Sequence, residues 1–271
     1  MNTYRLGIGI MLLMLAQCAL AQHGQLVWND EFDTDGKPDT EKWSFDLGDG
    51  CPNLCGWGNN ELQTYTNKKS NVRQQDGKLI IEAHPQKGKP GKYTSARLVT
   101  KSKGDWQYGY IEVRARLPYG KGTWPAIWML PTMNGGFEWP KDGEIDIMEH
   151  VGYDQNVIVG TIHTNAYNHM IGTEKTASVK VYDAHKHFYN YGLYWTPKKL
   201  EWSVNGVVYH TIEKNDDDYN GWPFDKPFHL VMNLAVGGNW GGRHGVDADI
   251  WPQRLEVDYV RVYRSDLTAG Q

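Results

Sequence analysis

Cysteine is scarce in this chain, with three residues in 271, Cys18, Cys51 and Cys55. That scarcity excludes a disulfide-stapled scaffold. With no second Cys/His pair at ligand spacing, it also excludes a four-ligand zinc centre. Beyond residue 21 no apolar run is long enough for a transmembrane helix, and no long segment keeps a helical period, a heptad pattern or an internal repeat. A Pro/Ser-rich linker is missing too, so nothing divides the chain into two domains. There is no basic excess: the formal net charge is −4. Without a basic field or a basic amphipathic helix, neither nucleic acid nor a membrane surface is an expected partner. A monomer is expected.

The first residues, Met1 to Ala21, carry Arg5, an apolar stretch through Leu15 and the small-residue pattern Ala19-Leu20-Ala21. This reads as a secretory signal peptide cleaved before Gln22, too short and too weakly flanked for a membrane span. Residues 22–271 then form one domain, secreted or periplasmic. Cys18 offers a competing reading as a lipidated cysteine, but Gln17 is a poor substitute for the small residue expected before one. Export makes a Cys51–Cys55 disulfide the expected state of Cys51-Pro52-Asn53-Leu54-Cys55. So short a loop shapes the Gly56–Glu61 segment more than it stabilises the whole fold.

Strand signals fill the rest. Ile111-Glu112-Val113-Arg114-Ala115-Arg116-Leu117 alternates apolar and charged residues, as a strand with one buried face should, and Leu255-Glu256-Val257-Asp258-Tyr259 repeats the pattern. Asn205-Gly206 and Asp76-Gly77, each between strand-like runs, predict tight turns. Val157-Ile158-Val159 and Leu230-Val231-Met232 suit strands buried on both faces. Many strands with Gly/Pro-rich turns imply two antiparallel sheets packed face to face. The 12 Trp and 16 Tyr exceed what core packing needs, so some should stack on the C–H faces of sugar rings.

Glu144-Ile145-Asp146-Ile147-Met148-Glu149 places three carboxylates in an otherwise apolar strand. Side chains alternate along a strand, so Glu144 and Asp146 share a face and Glu149 falls on the other. A β-bulge at Met148 or a neighbour would return Glu149 to the face of the first two. Regular steps of ~3.3 Å then leave about 5–6 Å between the two glutamate carboxylates. That gap suits a retaining glycosidase, whose nucleophile and acid/base stand about 5–5.5 Å apart, better than an inverting one. The alternative is a solvated or calcium-binding acidic strand, and Ile145, Ile147 and Met148 argue against a fully solvated one.

At these residues the chain resembles glycoside hydrolase family 16, in its laminarinase-like, endo-β-1,3-glucanase branch. Besides Gly143 to Glu149, the resemblance rests on Trp28-Asn29-Asp30-Glu31-Phe32, Gly56-Trp57-Gly58-Asn59-Asn60-Glu61-Leu62-Gln63, Trp124-Pro125-Ala126-Ile127-Trp128 and Asp258-Tyr259-Val260-Arg261-Val262-Tyr263. It spans nearly all of residues 22–271. Lichenases of the family have one residue fewer between the last two acids; this chain has the longer, bulged form, which galactan-cleaving members share.

The resemblance implies an all-β jelly-roll sandwich with a substrate cleft across its concave sheet. It makes Glu144 the nucleophile and Glu149 the general acid/base; Asp146, between them on the same face, can hydrogen-bond to the nucleophile and help hold the charge states apart. Asn59, Glu61, Arg97, Trp124, Trp128, His163, Asn233 and Trp240 match positions used along the cleft, Trp240 in a flexible glycine-rich loop and Arg97 and Asn233 as donors to sugar hydroxyls. Glu31, the Gly77 carbonyl and Asp258 match a structural calcium site. No cofactor is required for hydrolysis by two carboxylates. The expected partner is a β-glucan, laminarin before mixed-linkage glucan. The rival readings are a galactan hydrolase and a non-catalytic glucan-binding protein, which would have no need of three acids in register.

Overall fold

The computed structural model describes residues 24–215 and 218–264. The signal-peptide segment, Cys18 and the cleavage site before Gln22 lie outside them. In chain order the first nine strands are β1 (Gln25–Asp30), β2 (Ser44–Phe45), β3 (Gln63–Tyr65), β4 (Val72–Gln74), β5 (Leu79–Pro85), β6 (Tyr93–Ser95), β7 (Arg97–Val99), β8 (Asp105–Trp106) and β9 (Gly109–Arg116). The second nine are β10 (Thr123–Pro131), β11 (Glu144–Glu149), β12 (Val157–His163), β13 (Lys175–Lys180), β14 (Tyr189–Trp195), β15 (Lys199–Val204), β16 (Val207–Glu213), β17 (Phe228–Val236) and β18 (Gln253–Arg264). Among the described residues there is no α-helix, and Cys55–Gly58 forms a 3₁₀ turn.

Two open sheets pack face to face, as the strand pattern implies. One runs β16-β15-β14-β9-β18-β5-β6-β3, with β1 and β4 joined to its flanks; the other runs β13-β12-β11-β10-β17-β7-β2, with β8 beside β17. One pairing departs from the antiparallel expectation: β3 and β6 run parallel, because the chain between them passes through the β4–β5 hairpin and returns in its original direction.

Alternation explains the core. Along β9, Ile111, Val113 and Ala115 are wholly buried while Glu112, Arg114 and Arg116 look outward. On β18 the register slips between Val257 and Tyr259. Asp258 is the extra residue of this bulge, and parity flips so that Val260 and Val262, not Tyr259, enter the core. Both turn expectations hold. Asn205 and Gly206 (φ 48° and 77°) join β15 to β16, and Asp76 and Gly77 (φ 54° and 67°) join β4 to β5. Positive φ at both central residues is what a type I′ hairpin demands. Every residue of β17 is buried, since core covers one face of it and the cleft floor the other.

Candidate active site

The acids stand on β11, at the middle of the second sheet. Against β12, Asp146 pairs with Thr161 and Glu149 with Val159; against β10, Asp146 pairs with Trp128 and Met148 with Ile127. Three residue steps on β11 therefore face two on β12, and Ile147 is the residue without a counterpart on β10. This is the β-bulge that the acid spacing predicts. Ile147 and Met148 are both buried, so the bulge spends its extra residue on the core and returns Glu149 to the row of Glu144 and Asp146.

The bulge is held from the opposite sheet. A bulge disrupts the ladder locally, and here the Trp202 indole N–H of β15 crosses the sandwich and donates to the Asp146 carbonyl at 2.8 Å. Gly160 on β12 leaves room for it: a Cβ there would lie 2.6 Å from the Trp202 ring. Trp202→Phe keeps the ring and removes the N–H. Leaving the buried carbonyl without this donor is expected to cost about 1–3 kcal/mol of stability and to lower kcat more than it raises KM. Denaturant unfolding and steady-state kinetics on a soluble glucan check both; unchanged kcat would show that the bulge needs no such pin.

Each glutamate receives an indole N–H. Trp139 donates to Glu144 Oε2 at 3.1 Å, and Trp124 donates to Glu149 Oε1 at 3.0 Å. Asp146 Oδ2 is buried without a hydrogen-bond partner. His163, directly across the ladder from Glu144, turns Nε2 to 3.5 Å from Asp146 Oδ2 and 3.8 Å from Glu144 Oε1. Burial holds the His163 imidazole neutral, its pKa pushed down to about 4 with His169 nearby adding to the effect. All three carboxyls are pushed up. Burial is the main cause, followed for Glu144 by the charge of Glu149 and for Asp146 by both glutamates. Glu149 rises to about 7, through burial and the neighbouring Glu61, against the pull of the Trp124 indole.

Buried like charges this close resist full ionisation. Asp146, without a donor on Oδ2, keeps its proton most readily. Glu144 rises to about 8 and Glu149 to about 7, so the row titrates as one interacting set that still holds protons near neutral pH. The Glu144 side chain keeps 16% of its surface accessible, so it can be reached from the cleft. His150, next along the chain, is buried with both ring nitrogens unpartnered and its pKa down near 4. It belongs to the packing, not to the acid row.

The acids open into a cleft of about 770 Å³ whose lining includes Asn59, Trp124, His163, His169, Trp240 and Arg243. Trp124 and Trp240 meet edge to face, ring centroids 5.5 Å apart. The Trp240 loop, expected to be flexible, is tied down. Gly237 N–H donates to the Gly122 carbonyl and Asn239 N–H to the Asn59 carbonyl, while the Asn60 side-chain amide donates to Asn239 Oδ1. Through these bonds the segment that follows the Cys51–Cys55 disulfide carries Asn59 and Glu61 against the cleft. Glu61 accepts from Gln63 Nε2, Tyr65 Oη and Asn59 Nδ2, and burial raises its pKa.

Arg97 and Asn233 are cross-strand neighbours, and both are more engaged than free sugar donors would be. The Arg97 guanidinium lies between the Trp57 and Trp128 rings, 4.7 Å from each centroid, and forms an ion pair with Asp46 at 2.9 Å. Asn233 accepts from Trp128 Nε1 at 2.8 Å and donates to Tyr65 Oη at 3.0 Å. They fix the attitude of Trp128, which shares the cleft face with Trp124. Trp139 and Tyr65 are not singled out by the sequence, and Gln63 enters there only as the end of the Gly56–Gln63 segment. Trp139, five positions before Glu144, offers an aromatic-near-acid signal; Tyr65 offers none.

Far from the acids, the expected calcium ligands are occupied. Glu31 accepts both N–H arms of Arg261, at 2.8 and 2.9 Å, and Asp258 accepts from Arg114. A cation there would have to displace two guanidinium groups, so this donor arrangement does not fit one.

The family model of glycosyl hydrolases family 16 matches residues 59–261. The chain belongs to that family. It is 50% identical to a beta-glucanase of Rhodothermus marinus over 95% of this chain and 91% of that one. It is 42% identical to a glucan endo-1,3-beta-glucosidase of Cryptopygus antarcticus over 92% of this chain and 96% of that one. Among solved structures, the laminarinase from Rhodothermus marinus superposes with a TM-score of 0.84 at 50% identity, over 90% of this chain and 98% of the other.

Proposed function

We propose that this family 16 chain is an endo-acting β-1,3-glucanase that cleaves laminarin-type linkages with retention, with mixed-linkage β-1,3-1,4-glucan as a second substrate. The carrying observation is the bulge that aligns Glu144, Asp146 and Glu149 in one row, each glutamate with its own indole donor. A non-catalytic glucan binder would gain nothing from burying three mutually repelling carboxyls. The cleft walls favour glucose polymers. A sulfated galactan calls for several cations with charge-assisted bonds to spare, whereas Arg97 is sandwiched between tryptophans and paired with Asp46, which leaves Arg243 as the arginine on the cleft lining.

In the first half-reaction, Glu144 attacks the anomeric carbon while Glu149 protonates the departing glucosyl oxygen. In the second, Glu149 takes a proton from water, which displaces Glu144 from the glycosyl-enzyme intermediate. Two inversions keep the β configuration. A reducing-sugar assay over a panel of polysaccharides is expected to give the highest efficiency on laminarin, with short oligosaccharides as products. Proton NMR in the first turnovers should record the β anomer ahead of the α. Higher efficiency on agarose, porphyran or carrageenan would overturn the substrate, and α product first would overturn the mechanism.

Export is part of the reading. The mature protein is expected to begin at Gln22, to be monomeric and to carry the Cys51–Cys55 disulfide. Intact mass and peptide mapping of exported protein check the N-terminus, and a lipid on Cys18 would refute the cleavage site. Catalysis by two carboxylates needs no metal. The calcium reading rests on the resemblance and on ligand type, opposed by the two arginine pairs, and an unaltered melting curve after chelation would remove it.

A further inference from the structure

The corner of the site formed by Glu144, Asp146 and His163 has a geometry that hydrolysis does not require. One ligand atom from each of the three residues lies within 4.8 Å of the others. From His163 Nε2 the distances are 3.5 Å to Asp146 Oδ2 and 3.8 Å to Glu144 Oε1. These are too long for hydrogen bonds of normal length. These two edges are close to those of a tetrahedron around zinc, where metal–ligand bonds of about 2.0–2.2 Å set neighbouring ligands roughly 3.3–3.6 Å apart, and the third, between the carboxylates, is no longer than 4.8 Å. Asp146 Oδ2 points into this corner, buried and without a hydrogen-bond partner, on a residue only 3% exposed. His163 is 7% exposed, and its ring is wedged against Trp139 and His169, with centroids 5.9 and 5.1 Å away.

We propose that Glu144, Asp146 and His163 form an inhibitory site for a divalent transition-metal cation of the zinc type, bound through two carboxylate oxygens and one imidazole nitrogen. Glu144 and His163 both line the cleft, which leaves the fourth position of a tetrahedral ion to water. An imidazole ligand and a low coordination number select zinc-like ions over calcium or magnesium, which take six or more oxygens. The β11 bulge presets the corner. By bringing the acids into one row opposite His163, the register that serves glycoside cleavage also assembles three converging ligands. A bound ion would occupy the carboxylate that must attack the sugar, so zinc and substrate exclude each other. The site rests on geometry; only its inhibitory consequence rests on the proposed function.

Titration calorimetry of the full protein with zinc chloride in chelator-free buffer is expected to give one ion per chain. Asp146→Asn and His163→Gln should each weaken binding by more than about 100-fold, beyond the loss typical of an outer-shell change. His187→Ala, at an exposed histidine that is not part of the cleft lining, should bind zinc as the parent does. Cobalt(II) added to the parent protein gives a readout that needs no variant: strong visible bands of a four-coordinate ion, lost on adding zinc, support the site. The weak spectrum of a six-coordinate ion, zinc affinity unchanged in the Asp146 and His163 variants, or affinity lost in His187→Ala would each overturn it. If laminarin is hydrolysed in chelator and hydrolysis continues undiminished at saturating zinc, the inhibitory role is refuted while the proposed function stands.

Discussion

Glu144→Gln is expected to lower kcat on laminarin by about four to six orders of magnitude, the scale seen when one member of a concerted catalytic group is removed, while binding of laminari-oligosaccharides stays close to that of the parent. The amide keeps the shape of the side chain and can still meet the Trp139 indole through its oxygen, but it has no charge to attack with. The same change tests the electrostatics. Burial and the charge of Glu149 raise the Glu144 carboxyl above its ordinary value. A carboxyl raised in the folded state gives its full stability below the unfolded pKa, and that stability is lost as pH rises through the folded one. The variant has no such loss. Its melting temperature relative to the parent should therefore climb between pH 4 and pH 8. A pH-independent difference would mean that Glu144 is not under the strain assigned to it, and residual kcat within tenfold of the parent would exclude it as the nucleophile.

The second large effect is at Glu149. Alanine there should cost about 10²–10⁴-fold on natural glucans, the usual worth of a positioned general acid, and much less on aryl glycosides whose leaving groups depart without a proton. With the acid/base gone and space left beside the anomeric carbon, azide should intercept the glycosyl-enzyme and yield a β-glycosyl azide. In the proposed mechanism the parent carries a proton on Glu149, so its kcat/KM should fall as pH rises through about 7, where burial and Glu61 place that carboxyl. The variant should lack that limb. An absence of both azide rescue and any change in the alkaline limb would exclude Glu149 as the acid/base.

The site was legible in proportion to how local its cause is. Three carboxylates in an apolar strand announce themselves because nothing in folding favours putting them there, and the strand period shows that one extra residue is needed to align them. Asn205-Gly206 and Asp76-Gly77 were legible because a type I′ turn asks for these residue types and little else. The alternation read at Leu255 to Tyr259 carried only as far as Val257. Asp258 adds a bulge that a period-2 reading cannot see, and that bulge decides which of the following residues are core. The Glu31 and Asp258 carboxylates looked like cation ligands as residue types, yet their nearest opposite charges come from Arg261 and Arg114 on paired strands.

By itself the sequence determined the all-β class, the acid row and its need for a bulge, the tight turns and the aromatic richness, since each follows from local stereochemistry or from the free energy of burying a charge. Only the tertiary structure decided how that row is held and charged. The Trp202 indole reaches the Asp146 carbonyl across 56 positions of chain, and Asn233 reaches Tyr65 across 168. Trp139 must fold back over the sheet to meet Glu144, although only five positions separate them. Such contacts join groups whose separation in space bears no relation to their separation in sequence. Burial, and with it the raised carboxyl pKa values, is a property of everything packed around a residue and of no residue alone.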